Sequence, residues 1–493
     1  MRLALIFTPF KYKIHEENLR IVQKYFGMFP PLSLAWVASI ARDAGHDVTL
    51  IDARTLRLSP QQVAERLRAF KPDIMGFMMT TYMFRDTLEW IRILKKECDV
   101  PVVIGGYNLR VYPKESISHP EIDYGVIEHA LETVPQLLEA LQGKRKLSEV
   151  VGLVYKEAGQ IRLNPPREVS FEQFPAPARD LLPNDLYAEF PTERKNFTVM
   201  VTSLGCPRGC FFCEAGRTAY NPRSPLTVVD EMTECYHRYG VREIDIFDYD
   251  FTADKSRTIA ICRLMRERNL DILWACRSRI DIDAQLLREM SQAGCGRIYY
   301  GIESGSQKIL DTVAKGITLA QIQDTIAATK ALGIKALGFF LVGAPGETVQ
   351  TVRQTVAFAE KLDLDYVQFS KCLAKPRTPL WENLVEQTGQ DFWKEWVLGN
   401  EVDRVLERPW TQLTNEQIDR LTKWAYVRFH SRPSFLLKSA LAVRSLPEFK
   451  RKLSAYLGML LGQENTSTRD DRFVAYHEER RRINDHVKAE KLI

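Results

Sequence analysis

The sequence predicts an α/β protein in three parts: an N-terminal doubly wound parallel sheet, a partial (β/α)6 barrel and a C-terminal helical region. Short apolar runs alternate strictly with amphipathic stretches over the first 140 residues. A second alternation begins near residue 197, after a proline-punctuated stretch, and no strand pattern follows Trp381. The chain has 493 residues and is 45% hydrophobic, which is enough for two or three globular domains.

The first alternation is typical of a parallel sheet with helices on both faces. Strands are predicted at RLALIFTP, HDVTLIDA, DIMGFMMT, PVVIGG and DYGVI, with helices between them. Gly45 is expected to end the first helix, and Ser59 followed by Pro60 to begin the second. Ligands of such sheets bind beyond the carboxyl ends of the strands. The segments Thr80–Thr81 and Gly105–Asn108 and the stretch near Glu128 are therefore candidate ligand contacts.

The remaining elements follow in order. GLVYKEAGQIRLNP predicts a small hairpin, and FEQFPAPARDLLP predicts a linker. Six further strands, with helices between them, are then predicted at FTVMVTSLGC, EIDIFDYD, DILWACRS, RIYYGIES, KALGFFLVG and YVQFSKCLAK. Six units are too few for a closed eight-stranded barrel, so the barrel is expected to be partly open. The predicted domains are residues 1–145, a linker over 146–190, the barrel over 191–385 and a helical region over 386–493.

Composition limits the function classes. The net charge of +5 is mild for this length and does not indicate nucleic-acid binding. The N-terminus lacks the pattern of a signal peptide, and no apolar run is long enough to span a bilayer, so a cytoplasmic location is expected. Six scattered cysteines are expected to be packed thiols in a reducing compartment.

Three further cysteines, Cys206, Cys210 and Cys213, follow a predicted barrel strand directly and so lie at the rim where barrels carry their active sites. Thiolates suit zinc or iron–sulfur clusters. A closed zinc site needs four ligands, and the nearest candidates, Cys235 and His237, fall inside a predicted helix. Three thiolates on a four-iron cluster would leave one iron open to a ligand.

The spacing C-x-x-x-C-x-x-C, with Phe212 before the last cysteine, resembles the radical S-adenosylmethionine (radical SAM) superfamily. The resemblance implies that the three cysteines hold a [4Fe–4S] cluster whose open iron chelates S-adenosylmethionine. It also implies that one electron, from a donor such as flavodoxin or ferredoxin, cleaves that molecule to methionine and a 5′-deoxyadenosyl radical.

Other barrel motifs extend the resemblance. IYYGIESGSQKIL resembles the fourth-strand motif, in which Glu303 would reach the ribose hydroxyls and Ser304 would line the pocket, although a salt-bridging role for Glu303 stays open. GFFLVGAPGET resembles the fifth-strand motif that brackets adenine, and Gly343 and Gly346 would permit close approach of the ligand.

Two pairs of charged residues end the second and third barrel strands. In DIFDYDFTAD either Asp248 or Asp250 would lie near the amino group of S-adenosylmethionine, because Tyr249 interrupts the paired acids that related enzymes carry. In LWACRSRID either Arg277 or Arg279 would meet the methionine carboxylate, and solvent exposure of both is an open alternative.

The N-terminal sheet ahead of such a barrel resembles the cobalamin-binding subclass, which includes methyltransferases acting on unactivated carbons and the anaerobic cyclase of bacteriochlorophyll synthesis. The resemblance implies that the corrin is contacted by Thr80, Thr81, Tyr82, Gly105, Gly106 and Asn108. No D-x-H-x-x-G motif supplies a cobalt ligand. Relatives carry a G-E-G-E turn where this chain has Glu128–Leu131, so backbone contact with the corrin is in question there. His129 is more typical of a solvated loop histidine than of a cobalt ligand.

The resemblance therefore implies cobalamin-dependent methylation of an unactivated carbon. The alternative is radical cyclisation, oxidation or carbon–carbon coupling without methyl transfer, and a non-catalytic redox sensor is a third class. The C-terminal helices alternate basic residues such as Arg428 and Arg432 with apolar ones such as Trp424 and Leu437. This pattern suits either a helix packed on the barrel or peripheral contact with a membrane, and so a lipid, isoprenoid or tetrapyrrole substrate. Trp381 and Trp410 are candidates for cavity lining or for core packing.

Overall fold

A computed structural model describes residues 1–10, 27–189, 191–402 and 408–441. The first nine strands are β1 (Arg2–Phe7), β2 (Gly27–Met28), β3 (Asp47–Asp52), β4 (Ile74–Met78), β5 (Val102–Gly105), β6 (Tyr124–Val126), β7 (Leu153–Glu157), β8 (Gln160–Leu163) and β9 (Ala188–Glu189). Seven of them form one sheet in the order β3-β1-β4-β5-β6-β7-β8, and β2 pairs with β9. The pairs from β3 through β6 are parallel, as the alternation predicts.

Helices cover both faces of this sheet. Their bounds are Leu32–Asp43, Pro60–Phe70, Phe84–Glu97, Asn108–Val111, Pro113–Ile117 and Ala130–Leu141. Ser59 accepts a hydrogen bond from the Gln62 amide, and Pro60 occupies the first turn, as expected. Alternate side chains along β1 pack into two separate cores, one under each helical layer. The doubly wound sheet is therefore confirmed.

The sequence predicts the hairpin β7–β8 as part of the linker, but it forms part of the first sheet. β7 pairs antiparallel with β6, so the hairpin extends the first sheet. The proline-rich stretch is anchored too, because the buried Arg179 donates to Thr198 Oγ1 at 2.7 Å and to Glu231 Oε1 at 2.7 Å. The four-part division of the chain stays a prediction.

The second sheet is the partial barrel. Its six strands run in chain order as β10-β13-β14-β15-β16-β17, with every pair parallel. Their bounds and those of the rim hairpin are β10 (Phe197–Met200), β11 (Ser203–Leu204), β12 (Asn221–Pro222), β13 (Glu243–Ile246), β14 (Leu273–Ser278), β15 (Cys295–Glu303), β16 (Lys335–Val342) and β17 (Tyr366–Lys371). The helices between them are Pro225–Arg238, Lys255–Glu267, Ala284–Gln292, Gln307–Thr312, Leu319–Ala331 and Val349–Lys361. Six βα units in an open sheet confirm the predicted barrel.

Four helices follow the barrel, at Pro379–Thr388, Phe392–Leu398, Asn415–His430 and Pro433–Leu441. The second docks on the first sheet, where Trp393 packs with Tyr82 at 5.0 Å between ring centroids. The third packs against β17 and against the helix Val349–Lys361. The sequence also predicts a basic helix at SLPEFKRKLSAYLGMLL and a polar tail from Gln463. Both lie outside the described residues. Among the described helices, none has the length and apolarity that crossing a bilayer requires.

Candidate active site at the rim of the partial barrel

The three cysteines lie in a loop of residues 205–217, here called the cysteine loop, between β11 and β12. Gly205 opens it with φ +71°, and a Cβ there would lie 2.0 Å from the Ala219 carbonyl oxygen, so the loop requires glycine. The thiols are half-buried and form no disulfide. Burial raises the pKa of Cys206, and it raises the pKa of Cys213 to about 11. With no cation bound, Cys206 and Cys213 are therefore not activated nucleophiles, and a bound cation would be needed to stabilise their thiolates.

The donor set fits a cluster better than a single ion. In the part of the chain that the structure describes, no three His, Cys, Asp or Glu side chains converge closely enough to hold one metal ion. In a [4Fe–4S] cluster each thiolate binds a different iron, so convergence on one point is not needed. Cys235 lies buried in the helix Pro225–Arg238, which also contains His237, as expected. The three loop cysteines thus have no fourth protein ligand from that helix.

The two aspartates after β13 have different environments. Asp248 is buried and accepts hydrogen bonds from the Thr202 amide at 2.6 Å and from Ser203 Oγ at 2.7 Å, so it anchors the chain that leads into the cysteine loop. Asp250 is buried as well, and burial raises the pKa of its carboxyl. Its Oδ2 accepts no hydrogen bond from the described residues and lies 3.6 Å from Arg208 Nε. Of the two, Asp250 has an acceptor to spare for an ammonium group.

The two arginines at the end of β14 also have different surroundings. Arg277 pairs with Asp245 at 2.7 Å inside the barrel and lies 3.8 Å above the Phe247 ring. Arg279 lies beside the cysteine loop, with Nη1 3.9 Å from Cys210 Sγ. Of the two, therefore, it is Arg279 that adjoins the thiol ligands.

Glu303 ends β15 in a left-handed conformation, φ +70°, where a bulge shifts the register with β16. Its Oε1 accepts a hydrogen bond from Lys315 Nζ at 2.7 Å, and both side chains are largely buried. Glu303 therefore forms the kind of salt bridge that the sequence leaves open as an alternative. The sequence does not predict Lys315 as its partner. Ser304 is buried, and its hydroxyl lies 3.0 Å from that of Thr355, so its side chain supports the turn.

The turn after β16 is held from behind by residues near position 410. Gly343 and Gly346 have φ of +82° and +73°. Trp410 Nε1 donates to the Gly343 carbonyl at 2.9 Å, and the Gly346 amide donates to the Trp410 carbonyl at 2.8 Å. Phe212 packs in one apolar cluster with Ala344, which brings the cysteine loop against this turn. Trp410 therefore shapes the candidate adenine turn from outside, which the sequence left undecided.

The carboxyl edge of the first sheet collects the predicted cobalamin contacts. Gly106 is exposed with φ +120°, and a Cβ there would lie 2.5 Å from the Met79 carbonyl oxygen. Thr80 and Gly105 are half-buried, whereas Thr81 and Asn108 are buried. Thr81 Oγ1 and Asn108 Oδ1 have no hydrogen-bond partner within the described residues. A ligand on this edge would meet Thr80, Gly105 and Gly106 first, and the backbone is open there only because Gly106 lacks a side chain.

This edge faces the cysteine loop. Burial raises the pKa of Tyr107 to about 12, and the charges of Glu214 and Cys213 contribute to the rise. Tyr249, at the tip of β13, is 51% exposed, yet the surrounding protein desolvates its hydroxyl and raises its pKa. Glu214, Cys213, Lys375 and Tyr107 are the electrostatic neighbours of Tyr249. Tyr107 of the sheet edge and Tyr249 of the barrel rim thus both lie near Cys213 and Glu214 of the cysteine loop.

The turn that differs from the G-E-G-E pattern keeps a glycine-like backbone at its first position. Glu128 has φ +66° and is fixed by Arg110 at 2.9 Å. His129 caps the next helix in an extended conformation and meets the Phe174 ring edge-on, with 6.0 Å between centroids. The altered residues therefore retain part of the backbone path that glycine would provide.

Comparison with known proteins identifies the class of this fold and site. The family model of the radical SAM superfamily matches residues 200–359, and that of the B12 binding domain matches residues 20–138. The chain belongs to the radical SAM superfamily, among the members that carry a cobalamin-binding domain. It is an enzyme, and its cofactors are a [4Fe–4S] cluster, S-adenosylmethionine and cobalamin.

Individual relatives agree with this assignment. The chain is 35% identical to an uncharacterised methyltransferase of Pyrococcus horikoshii over 417 residues, which are 83% of this chain and 89% of the relative. It is 28% identical to the anaerobic magnesium-protoporphyrin IX monomethyl ester cyclase of Rubrivivax gelatinosus over 424 residues, 83% of this chain and 75% of the cyclase. Among solved structures, the cobalamin-dependent radical enzyme OxsB with aqua-cobalamin and S-adenosylmethionine bound has a TM-score of 0.69 at 18% identity, over 98% of this chain and 75% of that one. At this identity the structural likeness shows the fold alone.

Proposed function

We propose that the protein transfers a methyl group from S-adenosylmethionine, by way of cobalamin, to an unactivated carbon of a small molecule. The observation that carries the proposal is that Tyr107, at the edge of the first sheet, and Tyr249, at the barrel rim, both lie near Cys213 and Glu214 of the cysteine loop. When bound, the cluster and S-adenosylmethionine supply a carbon-centred radical, and cobalamin supplies the methyl group.

The residues of the chain would bind and orient these groups. Asp250, whose buried Oδ2 accepts no hydrogen bond from the described residues, would accept the amino group of S-adenosylmethionine, and Arg279 would meet the carboxylate. Glu303 would accept the ribose hydroxyls. The turn from Gly343 to Gly346 would bracket adenine against Phe212. Holding these groups together contributes to rate by fixing the reacting atoms in contact.

The barrel interior supports an uncharged, apolar substrate. Tyr299 and Phe339 stack there with ring centroids 5.8 Å apart, and Arg277 covers the Phe247 ring. That arginine is already paired with Asp245, so among the described residues this wall presents the half-buried rings of Phe247 and Phe339 beside a neutralised cation. A lipid, an isoprenoid or a tetrapyrrole ring fits such a surface. The cyclase among the relatives, whose name gives a magnesium-protoporphyrin ester, supports the tetrapyrrole within this class.

The proposal includes two interactions of the whole protein. A low-potential donor such as flavodoxin or ferredoxin would reduce the cluster. The last described helix exposes Leu437 at 62% and Leu436 at 39%, ahead of a basic sequence, which supports peripheral contact with an anionic membrane. Flotation with phosphatidylglycerol vesicles tests that contact: a Leu436→Ser/Leu437→Ser variant should float less than the parent, and equal flotation would refute it.

The function is tested by labelling. Reconstituted enzyme, kept without oxygen, is given S-adenosylmethionine with a deuterated methyl group together with the lipid and pigment extract of its own cells. The proposal predicts a metabolite that gains the intact labelled methyl group, and that this product is absent with the Cys210→Ala variant. A metabolite that changes without gaining the label would favour the cyclisation or oxidation alternative and refute methyl transfer.

A further inference from the structure

Residues 313–316, here called the Lys315 segment, connect three parts of the candidate S-adenosylmethionine site. The Phe211 amide of the cysteine loop donates to the Val313 carbonyl at 3.3 Å. Arg279 Nη2 donates to the Lys315 carbonyl at 2.6 Å, and Lys315 Nζ donates to Glu303 Oε1 at 2.7 Å. One short loop therefore contacts the cluster ligand loop, the candidate carboxylate binder and the candidate ribose binder.

The ion pair of this segment is buried, with side-chain exposures of 6% for Lys315 and 10% for Glu303. Its space depends on Gly301, where a Cβ would lie 2.8 Å from both Lys315 Nζ and Glu303 Oε1. Buried ion pairs add little to stability, because desolvation of the two charges offsets most of their attraction. The pair is thus better explained by what it does at the site than by what it adds to folding.

The pair uses only part of the carboxylate. Lys315 donates to Oε1, which is the Glu303 oxygen that a hydrogen bond from the described residues reaches. A charged carboxylate oxygen is a strong acceptor, and two adjacent ribose hydroxyls are matching donors. The hydrogen bond from Lys315 fixes the orientation of the carboxylate while leaving Oε2 for the ligand.

We propose that Lys315 is a positioning residue for S-adenosylmethionine. Its ammonium group holds the Glu303 carboxylate oriented toward the ribose hydroxyls, and its carbonyl orients Arg279 at the cysteine loop. This inference rests on the proposed function, since it assumes that the site binds S-adenosylmethionine. It adds a residue that acts through two others rather than on the ligand itself.

The test compares two ligands on holoenzyme with its cluster and cobalamin. S-Adenosylmethionine and its 2′,3′-dideoxyribose analogue are each titrated, and binding is followed by the electron paramagnetic resonance spectrum of the reduced cluster. Lys315→Met should weaken binding of S-adenosylmethionine by about tenfold or more, because a hydrogen bond to a charged group is lost. Binding of the analogue should not change, since it has no ribose hydroxyls, and Lys315→Arg should restore most of the loss.

Controls keep the outcomes separate. Lys308→Met, an exposed lysine on the preceding helix, should change neither affinity. Equal weakening of both ligands by Lys315→Met would show general damage and overturn the inference, as would unchanged binding of both. If that variant loses its iron, Lys315→Gln, which keeps a hydrogen-bond donor but removes the charge, is titrated instead. It should weaken S-adenosylmethionine binding by a smaller factor and leave binding of the analogue unchanged, and equal effects on the two ligands would overturn the inference. Parent enzyme that binds neither ligand would refute the proposed function itself.

Discussion

Replacing Gly106 with alanine tests whether the carboxyl edge of the first sheet holds cobalamin. The added Cβ would lie 2.5 Å from the Met79 carbonyl oxygen, where 3.0 Å is the practical lower limit, so the turn must move by about 0.5 Å. The backbone at φ +120° adds strain of about 1–3 kcal/mol for any residue with a side chain. If about 1.4–2 kcal/mol of this strain energy is lost from the free energy of cobalamin binding, the dissociation constant of cobalamin rises about ten- to thirtyfold.

The assay is a titration of anaerobic apoprotein with hydroxocobalamin, followed by its visible absorbance. Gly143→Ala is the matched control, because Gly143 also has a positive φ, +76°, but no atom lies within 4 Å of a Cβ placed there. The control should lose some stability and keep its affinity for cobalamin. Unchanged cobalamin affinity in a folded Gly106→Ala protein would refute the assignment of this edge.

Three further predictions concern the cluster, the linker and the adenine turn. Cys210→Ala should lose most bound iron and all 5′-deoxyadenosine formation, whereas Cys235→Ala, a buried thiol on a helix, should keep both in iron and product assays. Arg179→Met should lower the free energy of unfolding by about 3–5 kcal/mol in denaturant titrations, because it leaves Glu231 buried with one partner fewer, while the exposed Arg68→Met should change nothing measurable. In the adenine turn, the buried Glu347 accepts hydrogen bonds from the Gly343 and Ala344 amides. Burial raises the pKa of Glu347 from its usual 4.5 to about 7, so stability that is fully present below pH 4.5 is lost as pH rises to 7. Glu347→Gln should therefore flatten the pH dependence of the free energy of unfolding between pH 4.5 and about 7. Identical slopes in the parent and in Glu347→Gln would contradict a raised pKa at Glu347.

The parts of the fold that the sequence predicts are those fixed by local pattern. Near-continuous apolar runs identify all six barrel strands, and Ser59 followed by Pro60 marks a helix start. The short helices Asn108–Val111 and Pro113–Ile117 have no such pattern. The two-residue pairing of β2 with β9 joins positions about 160 residues apart, which no local signal can indicate.

The site residues also divide into those that a short motif predicts and those that only contacts between distant segments identify. Spacing within eight residues predicts the three thiols, and the glycines of the β16 turn lie in one short motif. Contacts between distant segments decide the rest: Asp248 accepts hydrogen bonds from Thr202 and Ser203, whereas Asp250 Oδ2 accepts none from the part of the chain that the structure describes. Lys315 meets Glu303 only because the chain returns to β15 after a short helix, and an isolated lysine in a loop carries no signal of that contact.

The central claim is that one enzyme uses S-adenosylmethionine twice, as methyl donor and as radical source. The most direct measurement counts products per methylated molecule once the labelled metabolite is available. The account predicts one S-adenosylhomocysteine and one 5′-deoxyadenosine for each methyl group transferred. Turnover that releases 5′-deoxyadenosine with no S-adenosylhomocysteine would contradict it.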